Sequence, residues 1–385
     1  MYDYCIIGAG ISGIYCAYLL KIKNPSSSII ILEKDNRIGG RVYPYQFDGE
    51  SVLLGSGVGR MATDALLLQW LIDLGIQVVE YEKVFEHQDV DFTKSCIRKL
   101  EKAKNTLQLP RSTTNFRDFA TMVLGETDYQ RFKSNASFTD FEEADYIDTV
   151  DCYGFCDLIP VGTNFSVPWN DILHSAMKII GPANFHLGCE VIKISGNKVY
   201  YKDASSNKSL DAKTIISCCP VPILRKLYPQ HELLENIGGQ SFCRIYAYLD
   251  KPLPIQNYHI THDVLQKIIP INPARNLYMI AYSDNKSADR VNHLTKLELE
   301  QLLDAHFGDQ FKIIKMKKKY WELGTHFFYP LPTQFASRDD FIAEVQNPIP
   351  NHWLIGEAFS NNQGWVEGAL ESVGDFFKKL NLHNS

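Results

Sequence analysis

No run of about 20 consecutive apolar residues occurs in the 385-residue chain, which argues against a membrane-spanning helix. Positive charge is not in excess either. Lys and Arg number 39 against 45 Asp and Glu, a formal net charge of -6, so phosphate backbones and anionic lipid have no general electrostatic claim on the surface. Nucleic acid is not expected as a partner. The one basic run, KMKKK at residues 315–319, is followed by Tyr320 and Trp321 and reads as the solvated end of a strand or helix. Nine cysteines are scattered without CxxC spacing. The pairs Cys152 with Cys156 and Cys218 with Cys219 lack the further ligands of a zinc site, so no metal is expected, and reduced thiols of a cytoplasmic protein fit best. The apolar stretch at residues 5–20 has no basic residues ahead of it, so it does not read as a signal peptide. Repeats, low-complexity tracts and long charged tails are absent.

What the chain does have begins almost at its first residue. YCIIG at residues 4–8 is a short apolar strand ending in glycine, and residues 12–23 have helical character. Between them GAGISG supplies Gly8, Gly10 and Gly13 in the G-x-G-x-x-G spacing that binds a dinucleotide. The first glycine permits the tight turn, the second lets a pyrophosphate approach the backbone, and the third lets helix and strand pack closely. The amides of Ile11 and Ser12 open the helix and face the phosphate charge. A second buried strand, residues 29–32, ends in Glu33, twenty residues after Gly13, where a carboxylate accepts hydrogen bonds from ribose hydroxyls.

The segment after Glu33, beginning at Lys34 and reaching Gly39, Gly40 and Arg41, resembles the one that follows the ribose-binding acid in glutathione-reductase-like flavoproteins, specifically the flavin-containing amine oxidase family. WLIGEAFS at residues 353–360 and GWVEGALES at residues 364–372 resemble the paired C-terminal motif of the same family. A third resemblance runs through residues 168–220. The likeness implies non-covalent FAD, since residues 323–330 offer no cysteine for a covalent link. It implies cofactor contacts from Gly8, Gly10, Ile11, Ser12, Gly13, Glu33, Lys34, Gly40, Arg41, Gly57, Val191, Gly356, Glu357, Trp365 and Val366. In the family Arg41 would face the pyrophosphate, Val191 would hold the adenine through its backbone, and Glu357 would bond the ribitol or phosphate region. The helix opening at Val366 would point its amides at the N1–C2 edge of the isoalloxazine.

The fold implied is α/β: a Rossmann-like FAD-binding domain of glutathione-reductase type beside an α+β substrate domain on a mainly antiparallel sheet. The FAD domain would be discontinuous, from residues 1–62, 165–236 and 347–385, with 63–164 and 237–346 forming the substrate domain. The activity implied is oxidation of a small amine by hydride transfer to flavin N5, with O2 as electron acceptor. Trp365 stands where one aromatic of the family's substrate cage is expected. The other position falls on Gly324 and Thr325, with His326 and Phe328 on the alternate face; His326 reads equally as a satisfied strand histidine. Tyr278 and Tyr282 would share one face of a strand and line the cavity. No lysine matches the one that holds water near flavin N5. Two alternatives follow from these departures: a desaturase or isomerase acting on a non-amine, or a flavin-binding protein with little turnover. Oligomeric state is not legible.

Overall fold

The computed structural model describes residues 1–136, 138, 139, 141–153, 155 and 163–383; Cys156 of the Cys152/Cys156 pair lies outside them. The chain divides into two compact units. One is made of Met1–Glu80, Phe165–Gly238 and Leu331–Ser385, the other of Tyr81–Asn164 and Gly239–Pro330.

The first unit is built on a parallel sheet. Its order is His352–Leu354, Asn207–Ser217, Tyr2–Ile7, Ile29–Leu32, Phe185–His186. Ile6 stands opposite both Ile31 and Ile216, and Ile216 opposite Trp353. All four residues of Ile29–Leu32 are buried, so this strand is apolar without alternation, as a strand covered on both faces must be. The helices Ile11–Lys23, Trp169–Ile180 and Val366–His383 close one face through Ile14, Ala17, Ile172, Ala176, Leu370 and Val373. The strand Asn207–Ser217 does double duty. Its first half pairs antiparallel with Lys198–Lys202, which in turn pairs with Glu190–Ser195, and its second half enters the parallel sheet.

Two segments expected in the substrate domain belong to this unit instead. The helix Ala65–Asp73 buries Leu67, Trp70 and Leu71 in the same core, with the Trp70 ring 4.8 Å from that of Tyr15. The helix Arg338–Val345 is followed by Gln346, whose carbonyl accepts from the Leu354 amide and whose side chain accepts from Lys379 Nζ. Both segments were misplaced because the side chains that hold them, Tyr15 against Trp70 and Lys379 against Gln346, belong to other elements of the chain.

The second unit carries a mainly antiparallel sheet in the order Ile313–Phe328, Ile237–Leu249, Leu277–Asp284, Lys267–Asn272, Tyr258–Ile260, Phe85–Glu86, the last pair being parallel. One face is covered by the helices Asn285–His293 and Lys296–Phe307, through Ala288, Val291, Leu299 and Leu303. A separate aromatic cluster of Phe116, Phe119, Tyr129, Phe132 and Phe141 holds the helices Phe116–Leu124 and Glu126–Ala136. The basic run lies in the strand Ile313–Phe328, and Lys318 Nζ donates to the carbonyls of Asn292 (2.7 Å) and Leu294 (3.2 Å) at a helix C-terminus, where a cation is favoured. Among the described residues no helix is long and apolar enough to cross a membrane.

Tyr278 and Tyr282 do not share a face. Arg244 stands opposite Tyr282 and Ile245 opposite Ala281, but Tyr246 stands opposite Met279, so a bulge absorbs Ile280 and reverses the alternation below it. Tyr278 therefore drops into the apolar core beside Ile245 and Ala247, fully buried, with its hydroxyl accepting from the Leu253 amide at 3.1 Å. Tyr282 stays on the other face with Phe242, at a ring separation of 4.9 Å, and Arg244, 4.3 Å over its ring. Tyr278 is a core residue.

Candidate functional site

The site begins at the turn between the first strand and the first helix. Gly8 has φ +102°, which a side chain rarely tolerates, and its amide donates to the Leu32 carbonyl at 2.8 Å. Gly13 is packed hard on the strand: a Cβ there would stand 2.2 Å from the Gly8 carbonyl oxygen. Gly10 is different. Its backbone is extended, with φ -71° and ψ 177°, and a Cβ there would meet nothing within 4 Å. The space above Gly10 is thus open, at the start of a helix whose first turn carries no acidic residue and whose first amides lack intrahelical acceptors. That is a cradle for an anion, and it fits a dinucleotide pyrophosphate.

Glu33 is buried, and its carboxylate accepts from the Ala9 amide (2.7 Å) and the Asp35 amide (2.8 Å). It therefore orders the glycine turn as well as ending the second strand, and each oxygen keeps a further lone pair for a hydroxyl. Gly39 donates its amide to the Ala9 carbonyl at 2.8 Å, and Gly40, with φ +59°, lies so close that a Cβ would be 3.1 Å from Gly10 Cα. Arg41 then reaches Glu357: Nη1 donates to Oε1 at 2.9 Å and Nη2 to Oε2 at 3.3 Å. This bidentate pair joins the N- and C-terminal motifs directly. Gly356, at φ +143°, donates its amide to Ser372 Oγ at 2.9 Å, and its open side faces Ser12 Oγ.

At the start of the C-terminal helix, Trp365 Nε1 donates to Asp64 Oδ2 at 2.8 Å, and the Arg60 guanidinium lies 5.1 Å from the indole. Glu367 accepts the amides of Leu66 (2.6 Å) and Leu67 (3.0 Å). Burial pushes the Glu367 carboxyl up to about 7, and the charges of Asp64 and Glu371 add to the effect against those two hydrogen bonds. Burial also raises Asp64. Because the folded value for Glu367 lies above its ordinary 4.5, the folded protein binds the extra proton. This group's contribution to stability therefore falls as pH rises toward about 7 and is at its minimum above it. Glu367→Gln is expected to gain in melting temperature relative to the parent on going from about pH 5.5 to about pH 8.5, checked by thermal unfolding at both values. An equal difference at the two pH values would refute the linkage.

The expected cofactor residues in the first unit fall as follows. Gly8, Gly10, Ile11, Ser12, Gly13, Glu33, Gly40, Arg41, Gly356 and Glu357 meet through the turn, the Gly10–Gly39 bridge and the Arg41–Glu357 pair. Lys34 is exposed. Gly57 is buried and its carbonyl accepts from the Val167 amide at 3.2 Å. Val191 sits opposite Tyr201 beside a register slip. Val366 is buried in the core. In the second unit His326 and Phe328 are buried on Ile313–Phe328, and the Phe328 carbonyl accepts from the Asp145 amide at 2.9 Å. Sequence reasoning missed Gly55, where a Cβ would stand 1.7 Å from the Arg41 carbonyl oxygen, and it missed Asp64 and Glu367. Asp64 was visible as a helix-capping residue. Its partner was not.

Comparison with known proteins agrees with this geometry. Residues 6–65 match the NAD(P)-binding Rossmann-like domain, and residues 167–372, more than half of the chain, match the flavin containing amine oxidoreductase family. A coproporphyrinogen III oxidase of Staphylococcus aureus is 38% identical over 74 residues, which span 19% of this chain and 15% of that one. An L-amino-acid oxidase of Demansia vestigiata is 22% identical over 95% of this chain and 84% of its own length. The structure of cyclohexylamine oxidase from Brevibacterium oxydans IH-35A superposes with a TM-score of 0.75 at 15% identity, over 99% of each chain, and has the same fold. The chain therefore belongs to the flavin-containing amine oxidoreductase family, as an FAD-dependent oxidoreductase.

Proposed function

We propose that this protein oxidises the carbon–nitrogen bond of a small amine, holding FAD non-covalently and passing electrons on to O2. One observation carries the reading: the open cradle at Gly10 is fixed by Gly39, Gly40 and Glu33 and is followed in the same unit by the Arg41–Glu357 pair and the Trp365 node. Bound FAD supplies the hydride acceptor. The chain's part is to bind, orient and exclude water. The helix opening at Ile11 and Ser12 takes the pyrophosphate charge, Glu33 takes ribose hydroxyls, and Arg41 offers donors to phosphate from its clamp on Glu357. The Val366 helix start offers unsatisfied amides toward a developing negative charge. Trp365 would wall the approach of the substrate from the loop that leads into the C-terminal helix.

A second reading is supported by the 38% identical stretch shared with a coproporphyrinogen III oxidase: dehydrogenation of a porphyrinogen-like substrate. Anaerobic mixing of the holoenzyme separates the two. Bleaching of the visible flavin band by cyclohexylamine, putrescine or L-amino acids, with peroxide on readmitting air, is the result expected. Bleaching by coproporphyrinogen III alone selects the second reading, and silence toward every amine sinks the first.

A further inference from the structure

We infer that Asp64 and Glu367 form a two-carboxylate brace that positions Trp365, with Glu367 capping a helix in trans so that Asp64 is released to hold the indole. The helix Ala65–Asp73 has Asp64 at its N-cap position, since the Asp64 carbonyl accepts from the Leu68 amide at 3.0 Å. An Asp there ordinarily turns its own carboxylate back onto the second or third amide of its helix. Asp64 makes no such bond. Its Oδ2 accepts from Trp365 Nε1 and from the Arg60 amide, each at 2.8 Å, and its Oδ1 accepts from Thr63 Oγ1 at 3.1 Å.

The two amides that Asp64 leaves are those of Leu66 and Leu67. Both donate to Glu367, 300 residues on, one to each carboxylate oxygen. Glu367 is the second residue of the C-terminal helix, so one carboxylate stands at the positive ends of two helices. The exchange of partners has a geometric purpose. Trp365 precedes that helix in a loop and is only partly buried against the apolar core. A donor tied to a carboxylate 1% exposed, with a guanidinium 5.1 Å from the ring, fixes the indole in two directions. Both acids act through Trp365, so they are positioning residues. The bearing on catalysis rests on the reading of Trp365 as a wall of the substrate approach.

The test uses the FAD-loaded protein with 15N-labelled tryptophan, whose five indoles give separate N–H signals. Trp365→Phe assigns the relevant one. In the parent that signal should exchange slowly. Asp64→Leu is expected to speed its exchange about tenfold or more, and Asp64→Asn, which keeps an acceptor, to restore most of the protection. The decisive variant is Glu367→Ala. With the trans cap gone, Asp64 is drawn onto the Leu66 and Leu67 amides, and the Trp365 indole should lose protection by a similar factor although Asp64 is intact. Glu367→Gln, which keeps one acceptor, should fall between, and it carries the test if the alanine variant does not fold. Parent-like protection of Trp365 in Glu367→Gln and Glu367→Ala would overturn the proposal and leave Glu367 as a simple cap. A Trp365→Ala holoenzyme with an unchanged visible flavin spectrum and unchanged amine KM would instead defeat the wall reading, while the exchange result stands by itself.

Discussion

Gly10→Val is expected to yield a folded but colourless protein. The Gly10 backbone is extended and lies in the region any residue adopts, and an added Cβ meets no protein atom within 4 Å. The cost to the fold is limited to the poorer helix start that valine makes, about 1 kcal/mol. Ligand space is another matter, because the pyrophosphate must come against this backbone to reach the first helical amides. The Kd for FAD should rise by on the order of 100-fold, ~2.7 kcal/mol, measured by calorimetric titration and by the ratio of flavin to protein absorbance. Gly13→Val is the control with the opposite signature. A Cβ at Gly13 would lie 2.2 Å from the Gly8 carbonyl and 3.3 Å from Ile6 Cγ2, so the helix must lift off the strand. A loss of about 3 kcal/mol in stability is expected there whether or not FAD is present. Parent-like FAD affinity in Gly10→Val would place the cofactor elsewhere.

The difference between those two glycines shows what the sequence could carry. The spacing of Gly8, Gly10 and Gly13 was readable because strand, turn and helix are contiguous, and Gly13 answers to Gly8 and Ile6, a few residues before it. The strand Ile29–Leu32 and the start of the C-terminal helix at Val366 were readable for the same reason: local apolar runs and motif residues set them. Tyr278 was not. Alternation places residues four apart on one face, and only the pairing with Ile237–Leu249 reveals that Ile280 is squeezed out of the ladder. The unit to which the helix Ala65–Asp73 belongs was not readable either, since the Trp70 contacts with Tyr15 and Tyr18 join residues far apart in sequence. Asp64, Trp365 and Glu367 failed in the same way. A capping acid that ignores its own helix is invisible until the residue that replaces it is seen.

Arg41→Met is expected to lower both stability and FAD affinity, and the relation between the two losses tells what Arg41 is for. By resemblance Arg41 was directed at the pyrophosphate and Glu357 at the ribitol or phosphate; in the structure they hold each other, with Glu357 5% exposed and the Arg41 side chain 31% exposed. Removing Arg41 takes the bidentate partner from a buried carboxylate, and with one side of the pair partly solvated the cost should be about 2 kcal/mol, below that of a fully buried pair. Glu357→Gln leaves the guanidinium a neutral acceptor and should cost about 1 kcal/mol. The double variant should lose less than the sum of the singles, because the second change removes a charge the first left without its clamp. FAD affinity separates the roles. If Arg41 serves the phosphates as well as the clamp, Arg41→Met weakens FAD by on the order of tenfold beyond Glu357→Gln. Equal FAD affinities in the two single variants would confine Arg41 to joining the two ends of the chain.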